Sequence, residues 1–245
     1  MCASDAQAAK AALYSALTAA DDEPKAPAVT AAIEALAALP RDDFSLELGD
    51  GMWSVISKPD FPDSSGRDAQ GRYLFSLGRA SFNMYQPLGL PIAIESIENE
   101  VAVDAEGVRS YCVRVAFQAT APDGGSLRGV MDNDGVCEAD PQVAERLRVT
   151  FTGGRMRRAE ETPLEAWRGV FARQDTRGMR KRDRFAAWLA GRLFALRRPT
   201  GAESDGTVSY SMARAPTGYL DVLYLDEELR ITRGNRGSIV IAKRA

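Results

Sequence analysis

Few residues in this 245-residue chain have the type and spacing to do chemistry. There is no histidine, which removes His-based triads together with the commonest general base and metal ligand. The cysteines are Cys2, Cys112 and Cys137, an odd and sparse set that suits a reducing compartment and no disulfide framework. Cys112 and Cys137 flank one predicted hairpin, close enough in the chain to be neighbours, and read as two buried thiols. Asp132-Asn133-Asp134-Gly135 has the composition of a calcium loop. It lacks the twelve-residue spacing and terminal glutamate of an EF-hand, so it reads as a turn. Asp42-Asp43 and Asp226-Glu227-Glu228 read as turn acids, and Gly124-Gly125 and Gly153-Gly154 as turn glycines. With no phosphate-binding glycine loop, nucleophile elbow or metal-ligand cluster, the expectation is a protein without catalytic residues or a metal.

A second constellation concerns surfaces. From Arg155 to Arg198 there are thirteen Arg and Lys against five Asp and Glu, a net of +8 in a chain whose total is −3. Two helices are legible in it. Thr162-Pro163-Leu164-Glu165 has the form of a capping box and leads into Leu164, Trp167, Val170 and Phe171 on one face. After Arg180-Lys181-Arg182, Asp183 caps a helix carrying Phe185, Trp188, Leu189 and Leu193. Basic flanks and an aromatic, apolar face make an interfacial pattern. Trp167, Phe171, Arg180, Lys181, Arg182, Phe185, Trp188 and Leu193 are therefore the predicted membrane- or partner-facing residues. Nucleic acid is not expected, because no binding motif is visible and the remainder of the chain is acidic.

The elements that must position these groups are mostly strands. Ser4 or Asp5 caps a helix to about Ala20 with Leu13, Tyr14 and Leu17 on one face. Pro27 opens a second helix, ended by Pro40, with Val29, Ile33 and Leu36 in a stripe. Thereafter alternation marks strands: Tyr73, Phe75 and Leu77 over 72–77; Phe82 and Met84 over 80–86; 90–94; 97–103; Tyr111, Val113, Val115 and Phe117 over 108–120; 127–131; and 146–152. The chain ends in a meander. Gly218–Leu225, the turn Asp226-Glu227-Glu228, Leu229–Arg233, the turn Gly234-Asn235-Arg236-Gly237 and Ser238–Ala242 are strand, turn, strand, turn, strand. At this length one mainly β domain with helices is expected. No run of about twenty apolar residues occurs that would span a membrane as a helix.

Three stretches resemble one known family. Tyr224-Leu225-Asp226-Glu227-Glu228-Leu229-Arg230-Ile231-Thr232-Arg233-Gly234, followed by a short turn and a β run, is similar to the C-terminal signature of the plastid lipid-associated proteins, or fibrillins. Leu77-Gly78-Arg79 with Ser81-Phe82-Asn83-Met84, and Gly51-Met52-Trp53, resemble the family more briefly. Tyr224, Leu225, Asp226, Arg230, Arg233 and Gly234 are the signature positions. Where the family continues its first strand with a Leu-Tyr-Thr-Thr-like run, Ser57-Lys58-Pro59-Asp60 stands here instead.

The resemblance implies a lipocalin-like antiparallel β-barrel over residues 41–245, preceded by a helical hairpin over 1–40 and interrupted by the helical insertion at 155–200. In such a barrel Trp53 closes the floor, and an arginine, Arg230 or Arg233, stacks on it. Trp53, Tyr73, Phe75, Phe82, Tyr111, Val113, Phe117 and Arg233 are then the candidates for the barrel floor or a ligand pocket. The implied function is non-enzymatic, with no cofactor other than a bound lipid, carotenoid or quinone. The implied location is peripheral, on thylakoid or plastoglobule membrane in the plastid, in a mature chain without transit peptide. The alternative partner is a photosynthetic membrane complex, a photosystem or antenna, with the barrel filled by its own side chains.

Overall fold

A computed structural model describes residues 3–40, 45–121, 124–174, 192–214 and 217–245. Two alanine-rich helices come first, α1 (Ala3–Ala19) and α2 (Pro27–Ala37). Ser4 and Asp5 fall inside α1. Asp21 and Asp22, both at positive φ, reverse the chain, and Pro27 presets the first turn of α2. Leu13, Leu17, Val29, Ile33 and Leu36 pack against Tyr224, Leu229, Ile231 and Ile241. Small alanines elsewhere on the helices allow this close approach.

The strands are β1 (Gly51–Val55), β2 (Leu74–Ser76), β3 (Pro91–Val103), β4 (Arg109–Thr120), β5 (Ser126–Ala139), β6 (Arg146–Arg158), β7 (Leu196–Arg197), β8 (Val208–Met212), β9 (Thr217–Leu225), β10 (Leu229–Gly234) and β11 (Ile239–Arg244). Short helices α3 (Leu77–Ala80) and α4 (Leu164–Phe171) interrupt them. Eight strands, β1, β3, β4, β5, β6, β9, β10 and β11, pair in that order. All pairs are antiparallel, and β11 returns to β1. This is a closed up-and-down barrel of lipocalin-like form, with the helical hairpin on the outside of β9–β11.

The ring is complete at one end only. β3 pairs with β1 over Glu98–Val101 but with β2 over Pro91–Ala93. β6 pairs with β9 over Arg146–Thr150 but with β8 over Gly153–Met156. The wall therefore flares past the middle, and β2, α3, β8 and α4 fill the widened mouth. Burial follows from this. Phe75, Leu77, Tyr85, Phe117, Met131, Met156, Trp167, Phe171, Val208 and Tyr210 make the mouth core. Trp53, Leu147, Val222, Leu225 and Ala242 make the floor core, with Val101, Tyr111, Cys137 and Val149 beside it.

Several predicted elements differ. Residues 80–86 are α3 and its following turn, with Phe82 and Asn83 at positive φ. Residues 90–103 are one strand with a bulge near Glu95. Asp132-Asn133-Asp134-Gly135 lies inside β5, and Gly153-Gly154 inside β6; neither is a turn. A Cβ at Gly153 would come within 2.7 Å of the Tyr210 carbonyl, and one at Gly154 would strike the Asp132 carbonyl. These glycines let β5, β6 and β8 crowd together where the wall splits.

Candidate functional site

The floor is built around Trp53 on β1. A 3-10 turn at Leu46–Gly49 runs beneath it, and the buried indole N–H donates to the Gly49 carbonyl at 2.9 Å. Two guanidinium groups lie over the ring, Arg244 at 4.3 Å and Arg230 at 5.0 Å from its centroid. Arg244 also donates to the carbonyls of Leu48, Asp50 and Glu227, which ties β11 to the turn below. Its Nη1 would lie 2.9 Å from a Cβ at Gly51, where φ is +109°. The positive φ calls for the glycine of Gly51-Met52-Trp53, and a side chain there would also displace the Arg244 guanidinium.

Arg230 points into the barrel and is almost fully buried. It reaches across to Asn99 Oδ1 on β3 at 2.8 Å, and its Nε has no hydrogen-bond partner. Burial holds this guanidinium below the usual arginine range, and no carboxylate stands against that effect. Arg233 is not the floor arginine. Its side chain is 51% exposed and reaches Asp221 at 3.5 Å outside the barrel, because alternation on β10 puts Arg230 and Thr232 inside and Arg233 out.

The mouth is closed by α4. Trp167 and Phe171 are fully buried, with ring centroids 4.2 Å apart, and Trp167 lies 6.3 Å from Phe117. The Trp167 indole N–H donates to the Gly206 carbonyl at 2.8 Å. A side chain at Gly129 would strike the Trp167 ring. The reading of Trp167 and Phe171 as membrane- or partner-facing is thus overturned: the apolar face of α4 turns into the barrel. The capping box is also rearranged. Pro163 takes the cap position, and Thr162 Oγ1 bonds both the N–H and the carbonyl of Arg128 at 2.9 Å.

The other pocket candidates divide. Phe75, Tyr111, Val113 and Phe117 face the interior cores. Tyr73 sits at the margin of the mouth, where its hydroxyl donates to the Asp21 carbonyl and Arg67 covers its ring. Phe82 is 64% exposed and touches Phe61 edge-on; a turn, not a strand, carries it, so it lines no pocket. Of the predicted surface residues, Leu193 is 58% exposed, while Arg180, Lys181, Arg182, Phe185 and Trp188 lie outside the described residues. Among the described residues, buried side chains line the interior from Trp53 at the floor to Trp167 at the mouth.

Two clusters carried weak sequence signals. Asp132 is fully buried on the outer wall among Arg157 (2.6 Å), Arg114 (3.2 Å) and Arg155 (3.2 Å). Burial opposes its charge, but the three arginines hold its carboxyl below the ordinary range. Arg114 opposite Asp132 opposite Arg155 is a cross-strand charge ladder, hidden by reading 132–135 as a turn. These pairs also use part of the basic excess of 155–198 inside the fold. Cys112 and Cys137 fall on opposite faces of the β4–β5 pair, and burial pushes their thiols up to about 12 and about 11. Neither is a ready thiolate at neutral pH.

The C-terminal turn is organised by Asp226. Its Oδ1 accepts the backbone N–H groups of Glu228 (2.9 Å) and Leu229 (2.8 Å). Its Oδ2 accepts the Tyr224 hydroxyl at 2.8 Å and lies 2.5 Å from Lys10 Nζ. Lys10 is itself buried and also pairs with Glu228. Burial opposes the Asp226 charge, but Lys10, Tyr224 and the backbone donors hold its carboxyl below the ordinary range. One signature residue thus fixes the β9–β10 turn and fastens α1 to it. At the next turn Gly237 takes positive φ, and Gly234 N–H donates to the Ser238 carbonyl at 2.8 Å.

The PAP_fibrillin family model matches residues 205–243. That span runs from just before β8 through almost all of β11. It includes Asp226, Arg230 and the turn at Gly234, the same residues that build the floor and its lock. No curated protein and no solved structure matches the chain. No described helix is long and apolar enough to cross a membrane.

Proposed function

We propose that the protein is a non-enzymatic plastid lipid-associated protein that acts at the surface of thylakoid membrane or plastoglobules, without carrying a lipid inside its barrel. The observation that supports the second half is the packed interior. Trp167 and Phe171 occupy the mouth, and Trp53 with Arg230 occupies the floor. A carotenoid or quinone would have to displace α4. The family match over 205–243 supports the first half.

Flotation with galactolipid vesicles, with and without anionic lipid, tests this reading. Binding is expected only with anionic lipid, and it should weaken between low and physiological salt as counter-ions screen the attraction. A rise in melting temperature with a soluble carotenoid or quinone analogue would overturn the filled-barrel reading, since a ligand that binds only the folded state stabilises it. The packed interior also suits the second reading, a subunit that docks on a photosynthetic membrane complex. Co-purification with such a complex, together with no flotation on any vesicle, would select it.

A further inference from the structure

Several arginines on the barrel wall face carboxylates: Arg72 faces Asp68 and Glu95, Arg109 faces Asp50, Arg146 faces Asp221, and three face Asp132. Among the described residues Arg198, like the interior Arg230, faces none. It follows β7, whose Arg197 pairs with Ser211 on β8. Its Nη1 donates to the Asn83 carbonyl at 2.8 Å, and its Nε is buried without a hydrogen-bond partner. Burial pushes this guanidinium below the usual arginine range, and among the described residues no neighbouring charge offsets that effect. A half-buried cation without a counter-charge is costly unless something supplies one.

Beside it lies a cleft of about 270 Å³ lined by Arg197, Arg198, Thr200, Glu203, Ser209 and Ser211 among others. Two guanidinium groups and the hydroxyls of Thr200 and Ser211 are the donors an oxyanion requires. The one carboxylate, Glu203, is engaged by the Ser209 hydroxyl at 3.1 Å. The Asn83 contact fixes the plane of the Arg198 fork before any ligand arrives, which lowers the ordering cost of binding. The cleft is on the outside of the mouth, clear of the filled interior.

We propose that this cleft binds a small tetrahedral oxyanion, a phosphate, sulfate or sulfonate group. The proposal is independent of the surface reading above, because a free anion and a lipid headgroup offer the same chemistry. Calorimetric titration of the full chain with inorganic phosphate and with sulfate at low ionic strength tests the free anion. Flotation on galactolipid vesicles containing a phospho- or sulfonate-headed anionic lipid tests the headgroup. Arg198→Gln should weaken binding about 10- to 100-fold, as expected for loss of charge-assisted hydrogen bonds. Arg236→Gln, in the exposed turn between β10 and β11, should leave it unchanged. If Arg198→Gln fails to fold, Thr200→Val with Ser211→Ala takes its place and should weaken binding while keeping the melting temperature. Dependence on these residues in the calorimetric arm identifies a free-anion site, and dependence in the vesicle arm alone identifies a headgroup site. Binding in both arms that ignores these residues, or no binding in either, overturns the proposal.

Discussion

Two tryptophans close the two ends of this barrel, and they do it by different physics. Trp53 sits in a polar lock. Its indole bonds a turn carbonyl, two arginines cover its face, and Arg244 stitches the last strand to the turn below. Trp167 sits in an apolar plug, with Phe117, Phe171 and the bare backbone of Gly129 around it and a single hydrogen bond to Gly206. The closed ring is narrow enough at the floor for one residue to fill the cross-section. At the mouth the wall splits between β1 and β2 and between β9 and β8, so a helix must be brought in. Backbone carbonyls of the floor turn hold Arg244 over the ring, and the Asn99 side chain holds Arg230.

Truncating either tryptophan should produce the largest effects. Trp53→Ala and Trp167→Ala should each cost about 3–5 kcal/mol in chemical denaturation, the usual range for a fully buried large aromatic. Trp53→Ala belongs at the upper end, because it also bares the buried Arg230. The two then separate by what they admit. Trp167→Ala opens the flared end and should bind a small apolar dye that the parent excludes, whereas Trp53→Ala should not. A loss below about 1 kcal/mol for Trp167→Ala would mean that α4 is a peripheral cover.

Asp226→Ala comes next, at about 2–4 kcal/mol, because it leaves the buried Lys10 ammonium with Glu228 alone and two backbone N–H groups without their acceptor. Folding should fail before any lipid contact is altered; a fully stable variant that no longer floats on vesicles would make Asp226 a ligand residue. Acid probes the same lock more gently. The Asp226 carboxyl is held below its ordinary value, so its contribution is fully present above the unfolded carboxylate range near ~4. That contribution is lost as pH falls through the lower folded value. Protection of the Glu228 and Leu229 amides, measured against their intrinsic exchange rates, should therefore fall below about pH 4 before the core of the mouth loosens. Simultaneous loss at both ends would erase the contrast.

The floor was legible in the sequence and the mouth was not, for a physical reason. The acid turn at Asp226 and the alternation of β9 to β11 are local patterns whose meaning does not depend on distant chain, and Gly51-Met52-Trp53 is placed at the floor only through the family resemblance. Lys10, which completes the Asp226 lock from more than two hundred residues away, left no local trace. At the mouth the aromatic face of α4 has the periodicity of any amphipathic helix. Periodicity fixes that Trp167 and Phe171 share a face; it does not say whether membrane or barrel lies against it. Asp132-Asn133-Asp134-Gly135 misleads for a related reason. Such residues favour turns in isolation, yet inside β5 the arginines on both neighbouring strands supply the acid with partners, and tertiary pairing overrides the local preference.

The smallest effect sharpens the comparison most. Among the described residues Arg230 is the one charge inside the floor, and the effects of removing it nearly cancel. Replacement by methionine keeps much of the volume. It removes the desolvation penalty of a guanidinium whose Nε bonds nothing and loses the 2.8 Å bond to Asn99 and the contact with Trp53. Asn99 keeps a bond from its Nδ2 to the Glu98 carbonyl at 3.3 Å, so its amide is not wholly stranded. Buried charges replaced by apolar residues of similar size are often neutral or stabilising, so Arg230→Met should change stability by no more than about 1 kcal/mol in either direction. Arg230→Ala, which leaves a cavity over Trp53, should cost about 2–4 kcal/mol. If both variants cost the same several kcal/mol, the charge itself sets the floor geometry by orienting β10 against β3. If methionine is tolerated and alanine is not, Arg230 acts there as volume, and the two ends of the barrel are closed by packing alike.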